Sequence, residues 1–388
     1  MNASARRSAI VILGLGLVTT GIAACGESSQ DRQARIEAEA TRTLMRKIFA
    51  SIAVALPLSV EPAEFRDPAN RAIIAAALGE LAASAEQLER HAGRGAGEYL
   101  ARSIAHDARD VERAYTAEQF GRAAFLVQQI TEDCIGCHTR LPDDVDSPVA
   151  KGFVDETLFA ELPLEPRASL QMATRRFDDA RLTLEQLLAS DEHAALLLNA
   201  LTDYLVVNLR VKRDFERPVA VLEAFATRDD AWPTLRRAVR AWAAALPELA
   251  PVVAAEPDLA TARRILEQGK ALSPVERDHM PLVHWVAASS VLERFIERGG
   301  AEPAELGEAY YLLGLIEARI GRQYWVTPAP FLLESSIRLA PGEDFAEEAY
   351  AILETELLAA WEGTETEELP PEDAERLREL RDLIDGAR

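Results

Sequence analysis

The stretch TEDCIGCHTRLP, Thr131 to Pro142, sets two thiols and an imidazole at Cys134, Cys137 and His138. Those residue types at that spacing serve three chemistries. They can be half of a zinc site, a thiol–disulfide pair, or two thioethers to a haem with the histidine on its iron. The cysteine count separates them. The chain holds three cysteines, too few for the four thiolates of the usual iron–sulfur cluster. A structural zinc site needs a second ligand pair, and no His-x3-His or further Cys-x-x-Cys partner occurs. A thioredoxin-like pair belongs at a strand–helix junction, whereas the pattern around this one is helical. Covalent attachment of one haem c is what remains. On a helix, positions i, i+3 and i+4 share a face, so the three side chains can address one porphyrin.

The third cysteine lies near the N-terminus. Arg6 and Arg7 precede an apolar run, Ala9 to Val18, which is short for a bilayer span. The run leads to Ile22-Ala23-Ala24-Cys25, which resembles a bacterial lipobox, so Cys25 is the expected lipidation site. Residues 1–24 then read as a lipoprotein signal peptide and 25–30 as a tether. Export fits the haem reading, because bacterial c-type haem is attached outside the cytoplasm. The expected location is the periplasmic face of a bacterial envelope. The outer membrane is favoured because Gly26 replaces the aspartate associated with inner-membrane retention.

The elements that carry the motif read as helices. Apolar residues recur at helical spacing over about 31–56, 67–91 and 97–114, and in a fourth helix ending before Pro142. The first is expected to stop before Pro57, and the second to start on Asp67-Pro68 as N-cap and first-turn proline. Gly93 and Gly95 mark its end. Thr116 to Gln119 reads as a capping box for the fourth. Ile36, Met45, Ile48, Phe49, Ile52 and Leu56 form the apolar stripe of the first helix. Short connections between four amphipathic helices imply an up-and-down bundle over 31–142.

At these residues the segment resembles the class II cytochromes c, the cytochrome c-prime type of four-helix bundle. That resemblance implies Cys134 and Cys137 as haem attachment points and His138 as axial ligand. It further implies Met45, within ATRTLMRKIFASI, as sixth ligand. The chain departs from the family by continuing far beyond the motif. His106 falls opposite the apolar stripe of its helix, and His91 lies at the haem end of the second helix. Met172 would be the sixth ligand of a class I cytochrome c, a reading that leaves the helix before the motif unexplained. His193, His279 and His284 read as packing or surface residues.

After the polar loop 143–158 the composition changes. ATRRFDDARLTLEQLLAS (173–190) is echoed by VKRDFERPVAVLEAFATR (211–228), bringing Phe177 and Phe215 into correspondence. Weaker echoes follow at 260–274 and 327–345. Over 159–362 these segments resemble degenerate tetratricopeptide repeats, which implies an α-solenoid with a surface for proteins or peptides. Residues 363–388 read as an acidic tail or cap. The whole chain is expected to be all-α.

Formal charge is −22, from 42 basic and 64 acidic side chains. That charge repels phosphates and anionic lipid, which excludes a nucleic-acid role and favours basic or neutral partners. No Gly-rich phosphate loop, nucleophile elbow or HExxH motif occurs, so electron carriage rather than catalysis is expected. The implied partner is a membrane-associated redox protein. The alternatives are a gas-binding haem with an open sixth position and an envelope assembly scaffold with a structural haem.

Overall fold

The structure, a computed structural model, describes residues 29–91, 96–140, 159–160, 162–273, 278–320, 328–361, 369 and 371–387. The signal-like segment, Cys25, Gly93, Gly95 and the expected linker 143–158 lie outside the described residues. Regular structure among the described residues is helical, with no strand, so the chain is all-α. It divides into two compact units, Met1–Ala40 and Thr41–Arg388, and residues 29–40 of the first are helical.

Five helices precede and include the motif: α1 (Ser29–Val60), α2 (Pro62–Arg66), α3 (Arg71–His91), α4 (Ala96–Thr116) and α5 (Phe120–His138). Leu44, Ile48, Ile52, Ala55 and Leu56 of α1 are buried at helical spacing, with Met45 and Phe49 packed at the core edge. Ile36, expected on that stripe, is exposed. The segment Glu39–Val60 is long and apolar enough to cross a membrane. One face of it packs on the apolar core, and Lys47 on it pairs with Glu80 of α3.

Three boundaries differ from the sequence reading. α1 runs through Pro57 to Val60, because a proline in the last turn removes a single helical hydrogen bond. Asp67-Pro68 forms a turn, in which Asp67 Oδ1 accepts from the Ala69 amide at 2.8 Å. The unforeseen helix α2 precedes it and buries Phe65 edge-on against Tyr115, with ring centroids 5.1 Å apart. Thr116 ends α4 rather than capping α5. The Gln119 amide bonds to Ala114 O at 2.9 Å and the Glu118 amide to Tyr115 O at 3.0 Å. This double closure requires a left-handed residue, and Glu118 supplies it at φ 58°.

α3 and α4 are joined by Arg109–Glu86 at 3.4 Å, and α4 and α5 by Arg122–Asp110 at 3.9 Å. Gln128 Nε2 of α5 donates to Ser59 O of α1 at 3.3 Å.

The remaining helices are α6 (Leu164–Ala173), α7 (Phe177–Leu188), α8 (Leu198–Leu205), α9 (Arg217–Phe225), α10 (Pro233–Ala254), α11 (Leu259–Leu272), α12 (Leu282–Arg298), α13 (Pro303–Ile320), α14 (Ala329–Leu339), α15 (Asp344–Trp361) and α16 (Pro371–Ala387). A π-helical turn, Val206–Val211, continues α8. The sequence echo has a backbone counterpart. Arg175 (φ 60°) precedes Phe177 by two residues, as Arg213 (φ 53°) precedes Phe215, and both phenylalanines are buried. α13 and α14 approach so closely that a Cβ on Gly314 would meet Leu333 at 2.7 Å, so only glycine fits there. One apolar core runs from Leu44 to Leu332, through the helices before and after the motif. A second, smaller core closes the C-terminus. There Leu377, Leu380 and Ile384 of α16 pack on α14 and α15.

Candidate functional site

The motif forms the last turn of α5, where four carbonyls have no partner within the helix. Each is satisfied. The Thr139 amide and hydroxyl donate to Ile135 O at 3.0 and 2.8 Å. The Arg140 side chain turns back to donate from Nε to Gly136 O at 2.9 Å, and its amide donates to Cys137 O at 3.2 Å. Arg175, beyond α6, donates to His138 O at 3.1 Å. α6 also fixes the imidazole: His138 Nδ1 lies 2.5 Å from Ala173 O. A carbonyl only accepts, so Nδ1 carries the proton and Nε2 keeps its lone pair. Burial lowers the His138 pKa to about 4, so the ring is neutral, the state in which imidazole binds a metal.

Cys134 is buried and Cys137 half-buried, and neither is in a disulfide. Burial pushes both thiols up, with Asp133 adding to the effect at Cys134. A reactive thiol pair needs the opposite, a lowered pKa. Among the described residues, no three His, Cys, Asp or Glu side chains converge to hold a metal ion, the motif's own three included. Thioether attachment needs no such convergence. The donor chemistry therefore fits haem c: two thiols and an imidazole on one helical face, with Nδ1 held by a backbone carbonyl.

Met45 packs at the edge of the apolar core on α1, as a space-filling methionine does. Met172 is fully buried on α6, one residue before the carbonyl that holds His138. His91 and His106 are exposed, bonded to Gln87 O and Asp107 respectively. His193 caps a short turn, and His284 is buried on α12.

Two groups of site residues escaped the sequence reading. Asp133, next to Cys134, is buried against Asp107, and burial with that second carboxyl raises its pKa well above the usual range. Beyond the motif, Arg140 reaches Glu317 at 2.9 Å and Glu293 at 3.6 Å. Arg210, in the π-helical turn, binds the other oxygen of Glu317 at 2.8 Å and the Ser289 hydroxyl at 2.9 Å. No sequence signal marked them, because they are single charged residues scattered over separate segments of the chain. No family model matches the chain, and no curated protein or solved structure matches it either.

Proposed function

We propose that the chain is an exported, lipid-anchored c-type cytochrome for one-electron transfer, with C-terminal repeats that dock a protein partner. The observation that carries this reading is the state of His138, whose Nδ1–H is spent on Ala173 O and whose Nε2 lone pair is free. Cys134 and Cys137 would hold the porphyrin, and His138 Nε2 would take the iron. Haem, when bound, supplies the one-electron iron couple. The chain's own contribution is to bury the motif turn, keep the imidazole neutral and fix its orientation. Cys25 would carry the lipid and keep the site near the bilayer. The partner would be a membrane-associated redox protein of basic or neutral charge. A cleft of about 860 Å³ beside α5 supports that charge preference, being lined by Glu132, Glu165, Asp191, Glu192 and Asp203 with no basic residue.

Met45 would complete a six-coordinate iron. Its packing against the apolar core favours a second reading, a gas-binding haem with an open sixth position. Absorption spectra of the chain produced with a haem-maturation system, before and after carbon monoxide, separate the two. A low-spin spectrum indifferent to the gas, lost in Met45→Ala, supports electron transfer. A high-spin spectrum that responds to the gas favours the second reading, and no covalent haem sinks both.

A further inference from the structure

We infer that Arg140 and Arg175 are positioning residues for His138. Anchored in the C-terminal helices, they cap the last turn of α5 and so keep Nδ1 on Ala173 and Nε2 toward iron. What Nε2 binds rests on the haem reading above; the geometry does not.

The argument starts from the unpaired carbonyls of a helix end. Water or a following glycine ordinarily serves them. Here Gly136 O and His138 O, on either side of Cys137, each take an arginine donor. Cations at a helix C-terminus are also favoured by its dipole. Arg140 is clamped by Glu317 of α13 and Glu293 of α12, and Arg210 closes the cluster from the π-helical turn. Arg175 sits at φ 60°, a backbone position that favours glycine. A glycine would close α6 with less strain but could not donate to His138 O. Ala173, Arg175, Glu293 and Glu317 all lie beyond the motif's own helix. A partner that shifts α6, α12 or α13 would therefore move the imidazole.

Two measurements test this. The first is the nitrogen-15 NMR spectrum of the full chain produced without haem. His138 is expected as the Nδ1–H tautomer; an Nε2–H form, or an averaged mixture, would overturn the inference. The second compares Arg175→Gly and Glu317→Gln in the haem-loaded chain. Arg175→Gly relieves the left-handed strain, so its melting temperature should equal or exceed the parent's, while its reduction potential moves. Glu317→Gln loosens the Arg140 cap and should move the potential too, with the minor His138 tautomer rising several-fold in the haem-free form. Arg175→Lys should restore part of the Arg175→Gly shift. If both variants fold and keep the parent's potential and His138 signals, the caps are structural only and the inference falls. A chain that takes up no haem defeats the proposed function, and the His138 tautomer in the parent and Glu317→Gln then decides this inference by itself.

Discussion

Two buried charge clusters flank the Cys-x-x-Cys-His turn, and they meet the cost of burial in opposite ways. Toward the N-terminal helices, Asp133 lies against Asp107, like charge to like. Burial and the second carboxyl raise its pKa well above the usual carboxylate range. Toward the C-terminal helices, Arg140 and Arg210 face Glu293 and Glu317. Glu317 is held below its usual pKa by both arginines against the cost of its burial. Glu293 stands higher, because desolvation outweighs its longer contacts of 3.6 and 3.8 Å. One cluster meets burial with a raised pKa and should respond to pH. The other is neutralised by partners and should respond to their removal.

The largest expected effect tests the paired cluster. Arg210→Met leaves two buried carboxylates on one arginine and should cost about 3–5 kcal/mol in denaturant unfolding of the full chain. Adding Glu317→Leu should recover part of that loss, since Arg140 then faces Glu293 alone. A single-variant loss below about 1 kcal/mol would mean the network behaves like a surface pair and would break the comparison. A purely apolar yardstick comes from Ile130, fully buried on the same helix. Ile130→Ala should cost about 3 kcal/mol, with little dependence on pH.

The carboxyl cluster is tested by pH. The folded pKa of Asp133 lies above its unfolded value. Its favourable contribution is therefore full below about pH 4 and is lost as pH rises through the folded pKa. Across that window the parent should lose stability relative to Asp133→Asn by up to about 1.4 kcal/mol per pH unit. Parallel pH profiles for the two proteins would refute the raised pKa. The smallest effect belongs to the exposed Lys47–Glu80 pair, which joins α1 to α3 at 3.0 Å. Lys47→Met should cost about 0–1 kcal/mol and less in high salt. A larger loss would show that surface charge helps hold α1.

The helices themselves were legible, because a stripe such as Ile48, Ile52 and Leu56 is written at a local period. Their ends were less so. The Thr116–Gln119 pattern reads as a cap, but the chain instead closes α4 on Glu118, whose left-handed turn satisfies the carbonyls of Ala114 and Tyr115. Pro57 reads as a stop, yet the buried stripe carries α1 one turn further. The terminal helix reads as a solvated cap, while Leu377, Leu380 and Ile384 bury one face of it. At the site, the shared face of Cys134, Cys137 and His138 follows from their spacing alone. The carbonyl of Ala173 could not be foreseen, because a backbone acceptor leaves no trace in residue type.

By itself the sequence determined that the chain is helical and where two thiols and an imidazole share one helical face, since both are consequences of local periodicity. It also placed the 38-residue echo that pairs Arg175-x-Phe177 with Arg213-x-Phe215. Only the tertiary structure decided which nitrogen of His138 is free and which charges are buried. Both depend on groups far apart in the chain, Ala173 on α6 and Glu317 on α13, meeting at one helix end. A side chain's protonation and orientation are set by what packs against it, and that contact exists only in the folded chain.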